Sequence, residues 1–330
     1  MTSAGLLEAP HSHVLHQTNA ACSVSAFLQN QMCYLGQELV YADACETLER
    51  LLGIETNAKQ IERVCHHYGN VLEGQLQNAI AAGGTPPRPT DGKKYYAMLD
   101  GSMILTREEK WKEMKLARIY EAGQQVSVSK GRGHIGDSLY VAHLGKHKDF
   151  LQKVEYHLDS KAEIIFVADG APWIWKWVEA MYPESTQILD FYHAKEHLCQ
   201  WASITIGNEV ERTQWIDYQS LLLLNDKVEE VIKNISRRPA YTPDSKQKKK
   251  ALIEYYTTHI ERMKYRTFKI QGLAIGSGAI EAAHRHVIQQ RMKLSGQRWT
   301  IKGAQQIVNL RALNKSNQWG KLIEIASMAA

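Results

Sequence analysis

The sequence predicts an α/β protein, built on a mixed β-sheet flanked by helices, with an N-terminal helical region and an all-helical insertion. Three observations predict this fold class. Short apolar runs at 95–99 and 163–168 each end at an Asp-Gly pair, as buried strands bounded by turns do. Helical periodicity fills the segment before the first run, and after residue 144 predicted helices alternate with the remaining strands. Residues 199–262 are almost wholly helical in pattern.

The first 90 residues are predicted to form a helical region that ends in a linker. Residues 1–27 are rich in Ala, Ser and His without a clear period, which favours a peripheral segment. The pattern is helical from residue 25 to about 78. Residues 82–93 contain Gly, Pro, Thr and Asp in the proportion typical of a linker.

Two helices in this region could form a helix-turn-helix. Gly53 ends the first helix, and Thr56 or Asn57 can cap a second helix over 58–68. A helix-turn-helix places the start of its second helix against DNA bases. Lys59, Gln60 and Arg63 would then contact DNA. A plain helical hairpin is the alternative.

The remainder divides into a first core segment at 91–198, a helical insertion at 199–264 and a C-terminal core segment at 265–330. Strands are predicted, in order, at 95–99, 102–106, 111–120, 138–144, 163–168 and 187–189. Helices are predicted at 147–159, at 173–181 after Pro172, around 193–198, and at 279–308.

Composition excludes several classes of protein. There is no apolar run of the roughly 18 residues that a membrane span requires. The five cysteines never occur as Cys-x-x-Cys, which argues against a zinc ribbon or a disulfide framework. The net charge of +5 fits a nucleic-acid partner without requiring one. We expect a cytoplasmic protein with no membrane association.

Two aspartates and one glutamate stand where a metal-dependent enzyme would need them. Asp100 and Asp169 each end an apolar strand and precede Gly, whereas Glu281 lies on a helix. Strand ends are where ligand-binding groups gather in such sheets. Carboxylate oxygens suit Mg²⁺ or Mn²⁺, and three carboxylates can hold two ions. An Asp-Gly pair after a strand is also an ordinary turn.

The sequence around these residues resembles that of bacterial insertion-sequence transposases, and among them the Kra-type branch of the Mutator-related group. The resemblance covers about residues 30–315. The segments that carry it are MLDGSM at 98–103, REEKWKEMKL at 107–116, FVADGAPW at 166–173, LDFYHAKEHL at 189–198, GSGAIE at 276–281 and RMKLSGQRW at 291–299.

This resemblance implies an RNase H-like catalytic domain, with a helical insertion between its second and third acidic residues. It implies a DDE transposase whose catalytic and metal-binding triad is Asp100, Asp169 and Glu281, with Mg²⁺ or Mn²⁺ as two-ion cofactor. Asp190 and His193 match an accessory motif of related transposases. Such an enzyme cleaves DNA at the 3′ ends of its element and transfers them to target DNA, as a homodimer or larger assembly.

Further DNA contacts are expected from a basic group after Glu281. Arg285 lies one helical turn further on and could reach a phosphate. Trp299 could stack on an unpaired base, although core packing is an equal alternative. The other members of this group are Arg291, Lys293 and Arg298. Two rival functions remain open: a catalytically inactive or captured transposase-derived DNA-binding protein, and an RNase H-like nuclease that hydrolyses without joining.

Overall fold

The computed structural model describes residues 24–83, 93–129, 132–158 and 162–328. The expected peripheral segment at 1–27 and the linker at 82–93 therefore lie almost entirely outside the described residues. The N-terminal helices are α1 Ala26–Glu38, α2 Tyr41–Leu52 and α3 Ala58–Ala81. As expected from the sequence, Gly53 ends α2 with a φ of 64°, and the Asn57 side chain caps α3. The third helix is longer than predicted, with 24 residues.

Seven strands follow along the described chain, and five of them form one mixed sheet. Its order is β5-β2-β1-β6-β7, and β3 and β4 form a separate two-stranded sheet. The pairs β1 with β6 and β6 with β7 are parallel, whereas β2 and β5 pair antiparallel. The strands are β1 Lys94–Thr106, β2 Lys110–Glu121, β3 Gln125–Ser129, β4 Arg132–Ile135, β5 Leu139–Leu144, β6 Glu163–Ala168 and β7 Thr186–Leu189. The predicted α/β class with a mixed sheet is confirmed.

Helices occupy most of the described chain between and after the strands. The predicted helical block at 199–262 is present as α7 to α9. The helices are α4 His147–His157, α5 Pro172–Met181, α6 Phe191–Thr205, α7 Glu209–Leu223, α8 Val228–Arg237, α9 Pro243–Thr258, α10 Tyr265–Ile270, α11 Gly278–Ala283, α12 Gln290–Met292, α13 Ile301–Lys315 and α14 Gly320–Met328. Short 3₁₀ turns lie at Ala122–Gln124 and Ile260–Met263. None of the helices in the described ranges is long and apolar enough to cross a bilayer.

The chain divides into two compact units, along borders that differ from the four predicted segments. The first unit comprises Met1–Asp91, Gly101–Lys161 and Glu281–Ala330, and the second comprises Gly92–Asp100 and Ala162–Ile280. The N-terminal helices belong to the first unit because α3 packs along α13. The sequence could not show this, since the two helices lie more than 200 residues apart.

Within the first unit, buried polar side chains connect the helices to the edge strand β5. Gln305 on α13 accepts from the Leu144 amide at 2.8 Å and donates to the Ala142 carbonyl at 3.2 Å. The ammonium group of Lys153 on α4 lies 2.7 Å from the Glu73 carboxylate on α3. Because the sheet order ends at β5, the two Gln305 hydrogen bonds satisfy backbone groups that an edge strand would otherwise expose. The Lys153–Glu73 ion pair instead joins α4 to α3.

Within the second unit, the helical insertion is fixed to the helix that follows β7. The Tyr256 hydroxyl on α9 donates to the Ala194 carbonyl on α6 at 2.8 Å, and both residues are buried. Arg262 donates from Nε to Gln187 Oε1 at 2.9 Å and pairs with Glu179 on α5. The insertion is therefore part of the compact unit that contains Asp100 and Asp169.

The single helix predicted at 279–308 was wrong. In the structure α11 continues into a π-helical turn at His284–Gln289, and α12 ends at Met292. Gly296 then adopts a φ of 74°, which ends any helix. The Trp299 amide donates to the Leu105 carbonyl at 3.1 Å, and the Trp299 carbonyl accepts from the Arg107 amide at 2.8 Å. These bonds to β1 and to the residue after it keep the chain extended before α13. The sequence analysis also missed β3, β4 and α14.

Candidate acidic site

Three aspartates directly follow paired residues of neighbouring parallel strands in the second unit. The strands β6 and β7 end there, whereas β1 continues past Asp100 to Thr106. The prediction that Asp100 stands at the end of its strand was therefore wrong. Leu99 on β1 pairs with Ala168 on β6, and Ala168 pairs with Leu189 on β7. The next residue along the chain is an aspartate in each case, namely Asp100, Asp169 and Asp190. Because adjacent strands lie about 4.8 Å apart, the backbones of these aspartates are close neighbours.

The turn after Asp169 is held by the aspartate itself. Its Oδ1 accepts the Ala171 amide at 3.0 Å, and its carbonyl accepts from Trp175 Nε1 at 2.6 Å. Pro172 then begins α5, where its missing N–H costs no hydrogen bond. The residues that follow Asp169 therefore fix the direction of its carboxylate, through the Ala171 amide, and the position of its carbonyl, through Trp175.

Tyr255, which the sequence analysis missed, packs directly against this turn. A Cβ at Gly170 would lie 2.1 Å from Tyr255 Cε2, so only glycine fits there. The Tyr255 hydroxyl is buried and has no hydrogen-bond partner among the described residues. Burial, followed by the charges of Asp169 and Asp190, raises the pKa of Tyr255. Nothing in the sequence around residue 255 signals this placement, because it depends on how α9 packs.

Asp190 is fully buried and connects three backbone segments. Its Oδ1 caps α6 by accepting the amides of Tyr192 at 2.5 Å and His193 at 3.2 Å. Its Oδ2 accepts the Ser277 amide at 2.7 Å, just before α11. Burial alone would raise the pKa of Asp190, but the contacts with His193 and Ser277 outweigh it and lower the pKa. Asp190 is thus an ionised anchor.

His193 carries the positive charge of this cluster. Its Nδ1 lies 3.4 Å from Asp190 Oδ2. The contact is an ion pair rather than a hydrogen bond, since the N–H is poorly aligned with the carboxylate oxygen. The Asp190 carboxylate, with smaller contributions from Asp169 and Asp100, raises the pKa of His193 to about 9 against the opposing effect of burial. The imidazole is therefore protonated at neutral pH and lies within electrostatic range of both catalytic candidates.

Glu281, the third predicted triad member, is exposed on α11, one helical turn after Ser277. It begins the last segment of the first unit, whereas Asp100 and Asp169 belong to the second unit. Its role as third ligand stays a prediction. Among the described residues, no three His, Cys, Asp or Glu side chains form a group that could hold a metal ion.

The predicted DNA contacts fall into exposed and buried sets. Exposed positions are held by Lys59 and Arg63 at the start of α3 and by Arg285, Lys293 and Arg298, with Gln60 partly exposed. Arg291 and Trp299, in contrast, are 1% and 7% exposed and pack in the first unit. The burial of Trp299 agrees with core packing, the alternative left open from the sequence, and a role of either residue in DNA binding stays a prediction. Trp299 donates from Nε1 to the Met292 carbonyl at 3.0 Å.

Comparison with known proteins leaves the family open. No protein-family model matches the sequence, and a search of curated proteins finds no match.

Proposed function

We propose that this chain is an insertion-sequence transposase, which cleaves DNA at the 3′ ends of its element and joins them to target DNA. The observation that carries the proposal is the placement of Asp100 and Asp169 after paired residues of neighbouring parallel strands. The strand ends of open α/β sheets are where ligand sites form. Protonated His193 close to both adds a cation that an anionic substrate would meet.

The architecture supports the RNase H-like assignment within this proposal. A five-stranded mixed sheet carries the first aspartate on its middle strand. The helices α7, α8 and α9 stand between Asp169 and Glu281 in sequence, as the resemblance to Kra-type transposases requires. The mixed sheet and the helical insertion were expected from the sequence, whereas the middle position of β1 was not.

The chemistry of the donor set fits a hard divalent cation. Asp100 and Asp169 would hold Mg²⁺ or Mn²⁺ through carboxylate oxygens, with Glu281 as the third ligand and two ions in all. When bound, the cations supply Lewis-acid activation of the attacking group and stabilise the leaving 3′ oxygen. Carboxylates at adjacent positions of neighbouring strands repel one another, so a cation between them is favourable.

The accessory residues position the reacting groups. Asp190 holds the start of α6 and the Ser277 segment in place through its three amide hydrogen bonds. His193 keeps its proton at neutral pH, so it can contact a substrate phosphate as a cation without competing for a metal. Asp190 and His193 are thus positioning residues, and the chemistry is assigned to Asp100 and Asp169.

The proposal is tested with the full chain and DNA from the regions that flank its coding sequence. We expect Mg²⁺-dependent 3′-end cleavage, followed by covalent joining of these ends to a plasmid. Asp169→Asn keeps an acceptor for the Ala171 amide, and so keeps the turn while removing the charge. It should lower cleavage by at least about a hundredfold, as loss of a metal-binding carboxylate does. Asp217→Asn, at an exposed position on α7, is the matched control and should leave cleavage unchanged.

Two outcomes would favour the rival functions. Cleavage of DNA without joining indicates an RNase H-like nuclease. The same carboxylates serve hydrolysis and strand transfer, so only the missing joined product distinguishes the two functions. If Asp169→Asn and the unchanged protein bind DNA equally and neither cleaves it, the chain is a transposase-derived DNA-binding protein. Mg²⁺-dependent cleavage by Asp169→Asn at the unchanged rate would contradict the assignment of the site.

A further inference from the structure

A second candidate site is a small cavity in the first unit, among residues with no part in the acidic site. Its volume is about 210 Å³, and it is lined by Tyr41, Glu62, His66, Arg107, Arg291 and Arg298, among others. Pockets for drug-sized molecules typically measure about 300–1,000 Å³, so this one suits a smaller group. Three arginines against a single glutamate among these side chains make it a site for an anion.

Three polar atoms around this cavity are buried and lack a partner. They are Tyr41 Oη, His66 Nε2 and Arg291 Nη1, none of which has a hydrogen-bond partner in the described part of the chain. More than about 90% of buried polar groups in native proteins are hydrogen-bonded. Three such atoms at one cavity therefore indicate a ligand that carries several acceptor oxygens.

Arg291 is oriented for such a ligand before it arrives. Its Nε donates to the Gly36 carbonyl at 3.1 Å, and its guanidinium lies 5.0 Å from the ring centroids of both Tyr41 and Trp299. These contacts fix the plane of the guanidinium and leave Nη1 to meet an acceptor. Since burying a charge costs free energy unless it is paired, an anion at Nη1 would be strongly favoured.

The neighbouring groups favour a phosphate. Burial lowers the pKa of His66, so its ring is neutral and can donate or accept one hydrogen bond. Arg107 and Arg298 are exposed and can approach a phosphate from the solvent side with charge-assisted hydrogen bonds. The start of α13 adds less, because the Ile301 amide already donates to Glu108 at 3.2 Å.

We propose that this cavity is a phosphate-binding site, with Arg291 at its base and Arg107 and Arg298 at its entrance. Its ligand is either free phosphate or a phosphate group of a DNA strand, since the same donors recognise both. The proposal does not depend on transposase activity, because none of these residues belongs to the acidic cluster.

The experiment measures binding of inorganic phosphate to the full chain by calorimetry at constant ionic strength, with chloride as the comparison anion. We expect saturable binding that the Arg107→Gln/Arg298→Gln double variant weakens at least tenfold, since each charge-assisted bond contributes substantially. Lys321→Gln, at an exposed cation on α14 that does not line the cavity, is the control and should bind normally. Arg291 is left unchanged because its removal from the core could unfold the protein.

A second arm identifies the source of the phosphate. Short DNA duplexes with and without a 5′-phosphate are bound in the presence of increasing inorganic phosphate. Competition by phosphate that the double variant abolishes supports a DNA phosphate as the ligand, and phosphate binding without competition supports free phosphate. Equal phosphate binding by the double variant and the unchanged protein would overturn the proposal. Absence of phosphate binding together with absence of competition would overturn it too.

Discussion

Gly170, the residue after the second catalytic candidate, has no room for a side chain. A Cβ there would lie 2.1 Å from the Tyr255 ring, which itself packs against His197 and His259 and so cannot move aside freely. We expect Gly170→Ala to lower the free energy of unfolding by about 1–3 kcal/mol, as overpacking does. Gly207→Ala, where nothing lies within 4 Å, should change it by less than about 0.5 kcal/mol.

Urea unfolding followed by circular dichroism measures both changes, and a double variant checks the cause. In a Tyr255→Ala background the Cβ at residue 170 meets no ring, so Gly170→Ala should then cost much less. An equal cost in both backgrounds would show that the collision with Tyr255 is not the cause.

The ion pair between His193 and Asp190 makes stability depend on pH in a defined window. The folded-state pKa of His193, about 9, is above its ordinary value of 6.5, so its contribution is complete below pH 6.5 and is lost as the pH rises through 9. The pKa of Asp190 is lowered from 3.8, so its contribution is lost as the pH falls below that range.

We therefore expect the stability difference between the unchanged protein and His193→Gln to be largest between about pH 5 and 6.5. It should shrink steadily towards pH 9. Thermal unfolding across this range measures it, and NMR titration of the His193 ring gives the pKa directly. A difference that stays constant from pH 5 to 9 would mean that His193 is not protonated beside Asp190. Exposed His147→Gln serves as the control.

At the scale of elements, the docking of α4 on α3 depends on a buried charge pair. Lys153 is 1% exposed, and its ammonium group contacts the Glu73 carboxylate at 2.7 Å. Glu73→Gln would leave the ammonium buried without its counter-charge, which typically costs about 3–5 kcal/mol. Glu163→Gln breaks a pair with Lys94 in which both side chains are about half exposed, and should cost less than about 1 kcal/mol.

Chemical denaturation of the two variants in parallel tests this contrast. Similar small losses for both would show that water reaches Lys153. Lys153 loses part of its proton affinity through burial, which lowers its pKa, and Glu73 restores part of it. The Glu73→Gln variant should therefore recover some stability at high pH, where Lys153 can become neutral.

The π-helical turn after Glu281 is stabilised by one side chain of α13. Arg311 is fully buried and donates to the carbonyls of His286 and Val287, as well as to that of Gln37. A π-helical turn changes which carbonyls are available, and the planar guanidinium meets several of them at once. Arg311→Lys keeps the charge but not this geometry, so we expect a loss of about 2–4 kcal/mol.

Hydrogen exchange locates the effect of Arg311→Lys. The amides of residues 284–290 should exchange faster in the variant, whereas those of β6 should remain protected. Arg63→Lys, at an exposed position on α3, should alter neither stability nor exchange. Unchanged protection of residues 284–290 would show that the turn does not depend on Arg311.

Helices and strands that depend on local sequence were predicted well, whereas those that depend on contacts distant in sequence were not. The bounds predicted for β6 match the structure because an apolar run is a local signal. The helix α5 begins at Pro172, as a proline at a first helical position indicates, and it ends where predicted. The break after α12 was missed because it depends on hydrogen bonds between Trp299 and the end of β1.

The candidate site shows the same limit. The apolar residues before Asp100 and Asp169 predicted the end of a strand at each, which is correct for Asp169, whereas β1 continues past Asp100. Asp190 was indicated only by the resemblance to a motif. Tyr255 could not be predicted, since only the packing of α9 against Gly170 brings it to Asp169. The burial of Arg291 could not be predicted from the sequence either, because arginine on a helix is usually exposed and only the packing of α12 shows otherwise.

For the whole molecule, the effect of the net charge of +5 on DNA binding depends on the positions of the exposed cations. Several basic side chains of the helical insertion already have acidic partners: Arg238 pairs with Glu211, Lys248 with Asp244 and Lys250 with Glu254. Under the proposed function, the exposed Arg285 and Lys293 are therefore the sharper candidates for phosphate contacts.

The salt dependence of DNA binding tests these two residues without requiring catalysis. Each phosphate contact contributes about −0.9 to the slope of log affinity against log salt concentration, because it releases counterions from the duplex. Arg285→Gln with Lys293→Gln should thus reduce the steepness of the slope by roughly 2 and weaken binding for all sequences alike. Lys321→Gln on α14, equally exposed, should leave the slope unchanged. Fluorescence anisotropy with a short duplex across a salt series gives both slopes, and equal slopes for the double variant and the unchanged protein would place the DNA on another surface.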